Sequence, residues 1–88
     1  GRLLKELKEM GYNIVALEQT KSSQNIFDWQ PKFPVALVLG NEKTGVSKSL
    51  LKYCDQSVEI PMVGKKNSLN VSVAAGVAMY RIRLCNPQ

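Results

Sequence analysis

The run "VALVL", Val35 to Leu39, is apolar at every position and leads straight into "GNEKTGVS". A strand without polar alternation is expected inside a parallel sheet, covered on both faces. The glycines behind it, with Ser47 placed to cap "KSLLKYC", predict a tight turn into a helix. Gly40, four residues and Gly45 reproduce the glycine spacing of a phosphate-binding loop. Val46, however, stands where the lysine would be, and Glu42 adds negative charge where phosphates would sit. Two readings remain. One is a cradle for a neutral or cationic ligand, in which Gly40 lets the backbone come close and Asn41 and Glu42 offer polar groups. The other is a plain strand-to-helix turn, with the glycines serving backbone conformation.

The remaining elements follow from periodicity. Leu3, Leu4, Leu7 and Met10 recur at helical spacing and Gly11 sits where a helix closes. "NIVALE", Asn13 to Glu18, and "SVEIP", Ser57 to Pro61, read as strands. "SLNVSVAAGVAMYRIRL" reads as a last helix, so apolar between Val73 and Tyr80 that burial is expected. In it Ser72, Ala75 and Gly76 would let another backbone approach, and Arg81 and Arg83 mark the return to solvent. In the long connection "QTKSSQNIFDWQPKFP", Phe27 and Trp29 are expected to pack onto the body. The order is helix, strand, strand, helix, strand, helix, an α/β fold with a parallel sheet and flanking helices. Both polar loops, "GNEKTG" and "MVGKKNSLN", then leave carboxyl ends of strands, expected to be adjacent, where ligands gather in such sheets.

With 88 residues the chain is one domain at most, 1–88, near the size at which a single core needs help, so a second copy is plausible. Its start at Gly1 suggests a fragment. No stretch reaches the roughly 18 unbroken apolar residues that span a bilayer, and the acids in "GRLLKELKEM" suit an amphipathic helix better than a signal peptide. Cys54 and Cys85 lie far apart and there is no histidine, so reduced thiols in the cytoplasm, or in an organelle, and no metal site are expected. A net charge of +5 favours a polyanionic partner.

Taken together, "LVLGNEKTGVS", Leu37 to Ser47, and "IPMVGKKNSLNVSVAAGVAMY", Ile60 to Tyr80, resemble the second and third signature motifs of the SpoU (TrmH-like) RNA ribose 2′-O-methyltransferases of the SPOUT superfamily. The match is ordered, correctly spaced and covers about half the chain. The resemblance implies the C-terminal part of a trefoil-knotted domain that binds S-adenosylmethionine. Family positions carry over to Leu39, Gly40, Ile60, Met62 and Leu69 as cofactor contacts, with Val71 as further apolar wall. Glu42, Ser68 and Asn70 match the polar residues that organise the catalytic site. Lys43, Lys65 and Lys66 are candidates for RNA phosphates, with Lys21 and Lys32 extending the patch. The implied partners are transfer or ribosomal RNA and a second copy in a homodimer built on the C-terminal helix.

Two departures qualify the likeness. The family's first motif, whose arginine is assigned to proton transfer, is missing, since no arginine lies between Arg2 and Arg81. The chain alone is therefore expected to be inactive. Lys43 replaces a residue that is often glycine. The reading from a different class is a non-catalytic RNA-binding or assembly module that keeps the fold. A nucleotide hydrolase stands a distant third.

Overall fold

The computed structural model describes residues 2–40, 44–61 and 71–86. The elements are α1 (Arg2–Glu9), β1 (Asn13–Leu17), β2 (Gln24–Asn25), β3 (Val35–Leu39), α2 (Lys48–Leu51), β4 (Gln56–Glu59) and α3 (Val71–Cys85). The four strands form one sheet in the order β2-β4-β1-β3. Every pairing is parallel, with Leu17 opposite Leu39 on one side and Val58 on the other. All strands therefore end at the same edge of the sheet.

Side chains alternate across a strand, and β1 divides the core accordingly. Val15 faces a cluster with Ile26, Trp29, Val58 and Ala78, against which Val35, Leu37, Ile60 and Ile82 pack. Ile14 and Ala16 face the other way, with Val38, Val46, Leu4, Leu7, Leu50, Leu51 and Cys54. So α3 covers one face and α1 with α2 the other, while β1, the central strand, is fully buried from Ile14 to Ala16.

Local signals set the helix ends. At the end of α1 the Gly11 N–H donates to the Lys8 carbonyl at 3.0 Å and the Tyr12 N–H to that of Leu7 at 3.0 Å. This paired closure needs a left-handed residue, and Gly11 has φ +94°. The Ser47 side chain accepts from the Leu50 N–H at 3.3 Å and so caps α2 as expected.

Asp55 joins three elements. Its Oδ2 accepts the Ile14 N–H at 2.7 Å, and its own N–H donates to the Ile14 carbonyl at 2.7 Å. Lys8 of α1 lies 3.1 Å from its other oxygen. The Ile14 N–H first, and then Lys8, hold the Asp55 carboxyl below the ordinary aspartate range against an opposing effect of burial. Because the folded value is the lower one, this stabilisation is present above the ordinary aspartate range and is lost as pH falls through the depressed folded value. Urea unfolding at pH 6 and pH 3 should show Asp55→Asn costing about 1 kcal/mol at the higher pH and little at the lower. Equal cost at both would contradict the assignment.

Several expectations are corrected. The sequence reading has no counterpart to β2, a strand of two residues that pairs beyond β4. "VALVL" is covered on both faces, by the cluster that takes Val35 and Leu37 and the one that takes Ala36 and Val38, but β3 lies at the end of the sheet rather than inside it, and Leu39 is 43% exposed. Nor is α3 buried all round. It reaches the core through Ala75 and Ala78, while Val73, Met79, Tyr80 and Leu84 are each more than half exposed. A single sheet can bury one face of a helix, and among the described residues no further layer covers the other. Trp29 is buried as expected, but Phe27 is 51% exposed, because the turn after Asn25 directs it outward while its N–H donates to Asn25 Oδ1 at 2.9 Å.

Arg81 does not mark a return to solvent either. Half-buried, it donates from Nε to the Ile26 carbonyl at 3.2 Å and from one terminal nitrogen to those of Phe27 at 3.0 Å and Trp29 at 3.2 Å. Both cysteines are free thiols. Burial first, and Asp55 second, push the Cys54 thiol upward. Among the described residues no helix is long and apolar enough to cross a membrane, and no cluster could hold a metal ion.

Candidate functional site

The carboxyl edge of the sheet is where the sequence motifs converge. β3 delivers Leu39 and Gly40, β4 delivers Glu59, Ile60 and Pro61, and both exits lie at the same end. They are not adjacent, however. β1 runs between them and places Glu18 and the loop behind it in the middle.

Gly40 lies against the backbone of residues 45 and 46. A side chain at Gly40 would run into the backbone of Gly45 and Val46. Gly45 has φ +72°, and a side chain there would collide with the Glu18 carboxylate. Gly40 is therefore required by close packing against backbone and Gly45 by its left-handed conformation, so the feature read as ligand access also serves the approach of Gly40 to residues 45–46.

Glu18 is the residue that sequence reasoning missed. It was read only as the last residue of the strand run "NIVALE". Its Oε1 accepts the Val46 N–H at 3.0 Å, tying the turn to the end of β1. Its N–H donates to the Val58 carbonyl at 2.9 Å, so the backbone continues the pairing with β4. Its carbonyl accepts the Ser23 hydroxyl, which also bonds Thr20 Oγ1 at 2.8 Å and the Thr20 N–H at 3.1 Å. One oxygen, Oε2, is buried and has no hydrogen-bond partner among the described residues. A lone acid directly after an apolar strand, at the carboxyl end of a parallel sheet, was the signal available.

Of the expected cofactor contacts, Leu39 is exposed and Gly40 half-buried at the turn. Ile60 is half-buried, with its side chain packed on the cluster around Val15, Val58 and Trp29. Lys21 and Lys32 are exposed. Glu42, Ser68, Asn70, Met62, Leu69, Lys43, Lys65 and Lys66 lie outside the described residues, as does the side chain of Val71.

Comparison with known proteins bears on this geometry. Residues 1–80 match the family model of the SpoU rRNA Methylase family. The chain is 43% identical over 77 residues to the tRNA (guanosine(18)-2′-O)-methyltransferase of Aquifex aeolicus, covering 88% of this chain and 36% of that protein. Among solved structures, the A. aeolicus TrmH/SpoU tRNA modifying enzyme superposes with TM-score 0.86 at 39% identity, covering 96% of this chain and 43% of that one. An AdoMet-bound rRNA methyltransferase from Sinorhizobium meliloti superposes with TM-score 0.83 at 25% identity, covering 94% and 32%. The chain thus spans about a third of the length of the curated relatives it matches. With the motifs in order and the parallel α/β architecture shared, this chain belongs to the SpoU rRNA methylase family.

Proposed function

We propose that this chain is the cofactor-binding part of an RNA methyltransferase that methylates a ribose 2′-hydroxyl of transfer or ribosomal RNA with S-adenosylmethionine. The observation that carries the reading is the close approach of Gly40 to the backbone of Gly45 and Val46, with Val46 latched to Glu18 between the exits of β3 and β4, in a chain of this family. A site built from strand-end backbone with an acceptor left over suits a cationic nucleoside ligand, because it offers main-chain groups and a carboxylate and puts Val46 where a phosphate loop has its lysine. The residues that would hold the cofactor are Leu39, Gly40, Ile60, Met62 and Leu69. When bound, S-adenosylmethionine supplies an activated methyl group for displacement at carbon.

The chain's own residues have the tasks of alignment and proton removal. Glu42, Ser68 and Asn70 are assigned to organising the ribose, and Lys43, Lys65 and Lys66 to holding neighbouring phosphates. Proton removal falls to an arginine that this chain does not carry between Arg2 and Arg81. Arg81 is spent on three carbonyls of the turn at 26–29. The 88 residues are therefore inactive alone in this reading. The exposed stripe Val73, Tyr80 and Leu84 on α3 is assigned to a homodimer contact.

Calorimetry on the protein at its natural length tests the proposal. S-adenosylmethionine and S-adenosylhomocysteine should bind and ATP should not, and sedimentation of the same sample should give twice the monomer mass. Binding of ATP alone would refute the site. Binding of RNA with no binding of either sulfur nucleoside would favour a non-catalytic RNA-binding module.

A further inference from the structure

Glu18 holds more acceptor capacity than the fold uses. Its Oε1 is engaged by the Val46 N–H, but Oε2 is buried without a partner among the described residues. A buried acceptor left without a donor costs free energy, and more so when it belongs to a carboxylate. A purely structural latch would need only the first oxygen, which a glutamine provides equally well. Among the described residues the ion pairs are Arg2 with Glu6 and Lys8 with Asp55, and neither includes Glu18. It stands at the centre of the sheet's carboxyl edge, where ligands of open parallel sheets bind.

We propose that Glu18 is a binding residue of this site, with Oε1 holding the turn at 44–46 closed and Oε2 accepting a hydrogen bond from a hydroxyl or ammonium group of the bound cofactor. The inference rests on the reading of the site as one for S-adenosylmethionine, which carries both kinds of donor. Where water is excluded, one such bond counts for more than at the surface. The same carboxylate repels phosphate, which explains on chemical grounds why the turn needs no lysine at Val46.

The test is calorimetry on the protein at its natural length, wild type and Glu18→Gln, with S-adenosylmethionine, S-adenosylhomocysteine and 5′-methylthioadenosine, together with melting curves without ligand. Glu18→Gln should weaken the first two ligands by about tenfold, while its ligand-free melting temperature stays level, since the amide oxygen still accepts the Val46 N–H. An equal loss for methylthioadenosine identifies a ribose hydroxyl as the donor. No loss for it identifies the ammonium group. Wild-type affinities in Glu18→Gln overturn the proposal, as does a lowered melting temperature with unchanged affinities. If Glu18→Gln does not fold, Glu18→Asp, which keeps the charge but shortens the reach, gives the same comparison: weakened binding supports the assignment and unchanged binding overturns it. Failure of the wild-type protein to bind any of the three sinks the methyl-donor reading instead.

Discussion

Gly40→Ala should open the turn behind β3 and weaken binding of S-adenosylmethionine by about a hundredfold. The added methyl would overlap the backbone of Gly45 and Val46, and backbone cannot swing aside as the tip of a flexible side chain does. Overpacking of this kind costs about 3 kcal/mol if the turn stays closed. The alternative is for residues 44–46 to move away, which removes the Val46 N–H from Glu18 and disassembles the strand-end site. Lys21→Ala is the control, because Lys21 is exposed and an exposed lysine away from the turn contributes little to stability. Melting curves and calorimetry on both variants decide the matter. Gly40→Ala with the affinity and stability of Lys21→Ala would show that Gly40 does not lie against residues 45 and 46 in solution.

Arg81→Met should lower stability by about 2 kcal/mol in urea unfolding and shift the fluorescence of Trp29 to the red. The methionine keeps most of the apolar stem but removes donors from the carbonyls of Ile26, Phe27 and Trp29. Those carbonyls end a short turn that seats Ile26 and Trp29 in the core. Trp29 is the chain's single tryptophan and is 1% exposed, so its emission reports on this turn directly. Arg81→Lys should recover only part of the loss, because an ammonium group lacks the planar fork that serves three acceptors. An unchanged emission spectrum and midpoint in Arg81→Met would rule out the clasp.

The features legible beforehand share one property: they depend on residues close in the chain. Gly11 ends α1 because its own φ and the carbonyls of Lys8 and Leu7 complete the closure. Ser47 caps α2 through an N–H three residues away. β1 and β3 follow from short apolar runs. The family motifs are likewise contiguous, which is why the resemblance was visible without coordinates.

What escaped the sequence was set across the sheet. The latch from Glu18 to Val46 spans 28 residues, and the bonds from Arg81 to the turn span 52 to 55. Neither residue has an unusual local setting; an acid ending a strand and an arginine on a helix are ordinary surface features. The apolar excess of α3 was read as burial, but composition cannot say how many neighbours a helix has. The placement of β1 between β3 and β4 is equally invisible to periodicity, which reports which face of a strand is covered and not what lies beside it.

By itself, then, the amino-acid order determined the helix stops, the apolar strand runs and the paired loop motifs, since each is decided by backbone preferences and side chains within a few residues. Only the tertiary structure decided that the loop exits flank a central strand, that a carboxylate between them holds one turn shut with an oxygen to spare, and that Arg81 turns inward. Those outcomes arise from hydrogen-bond partners that become neighbours only once the sheet has assembled.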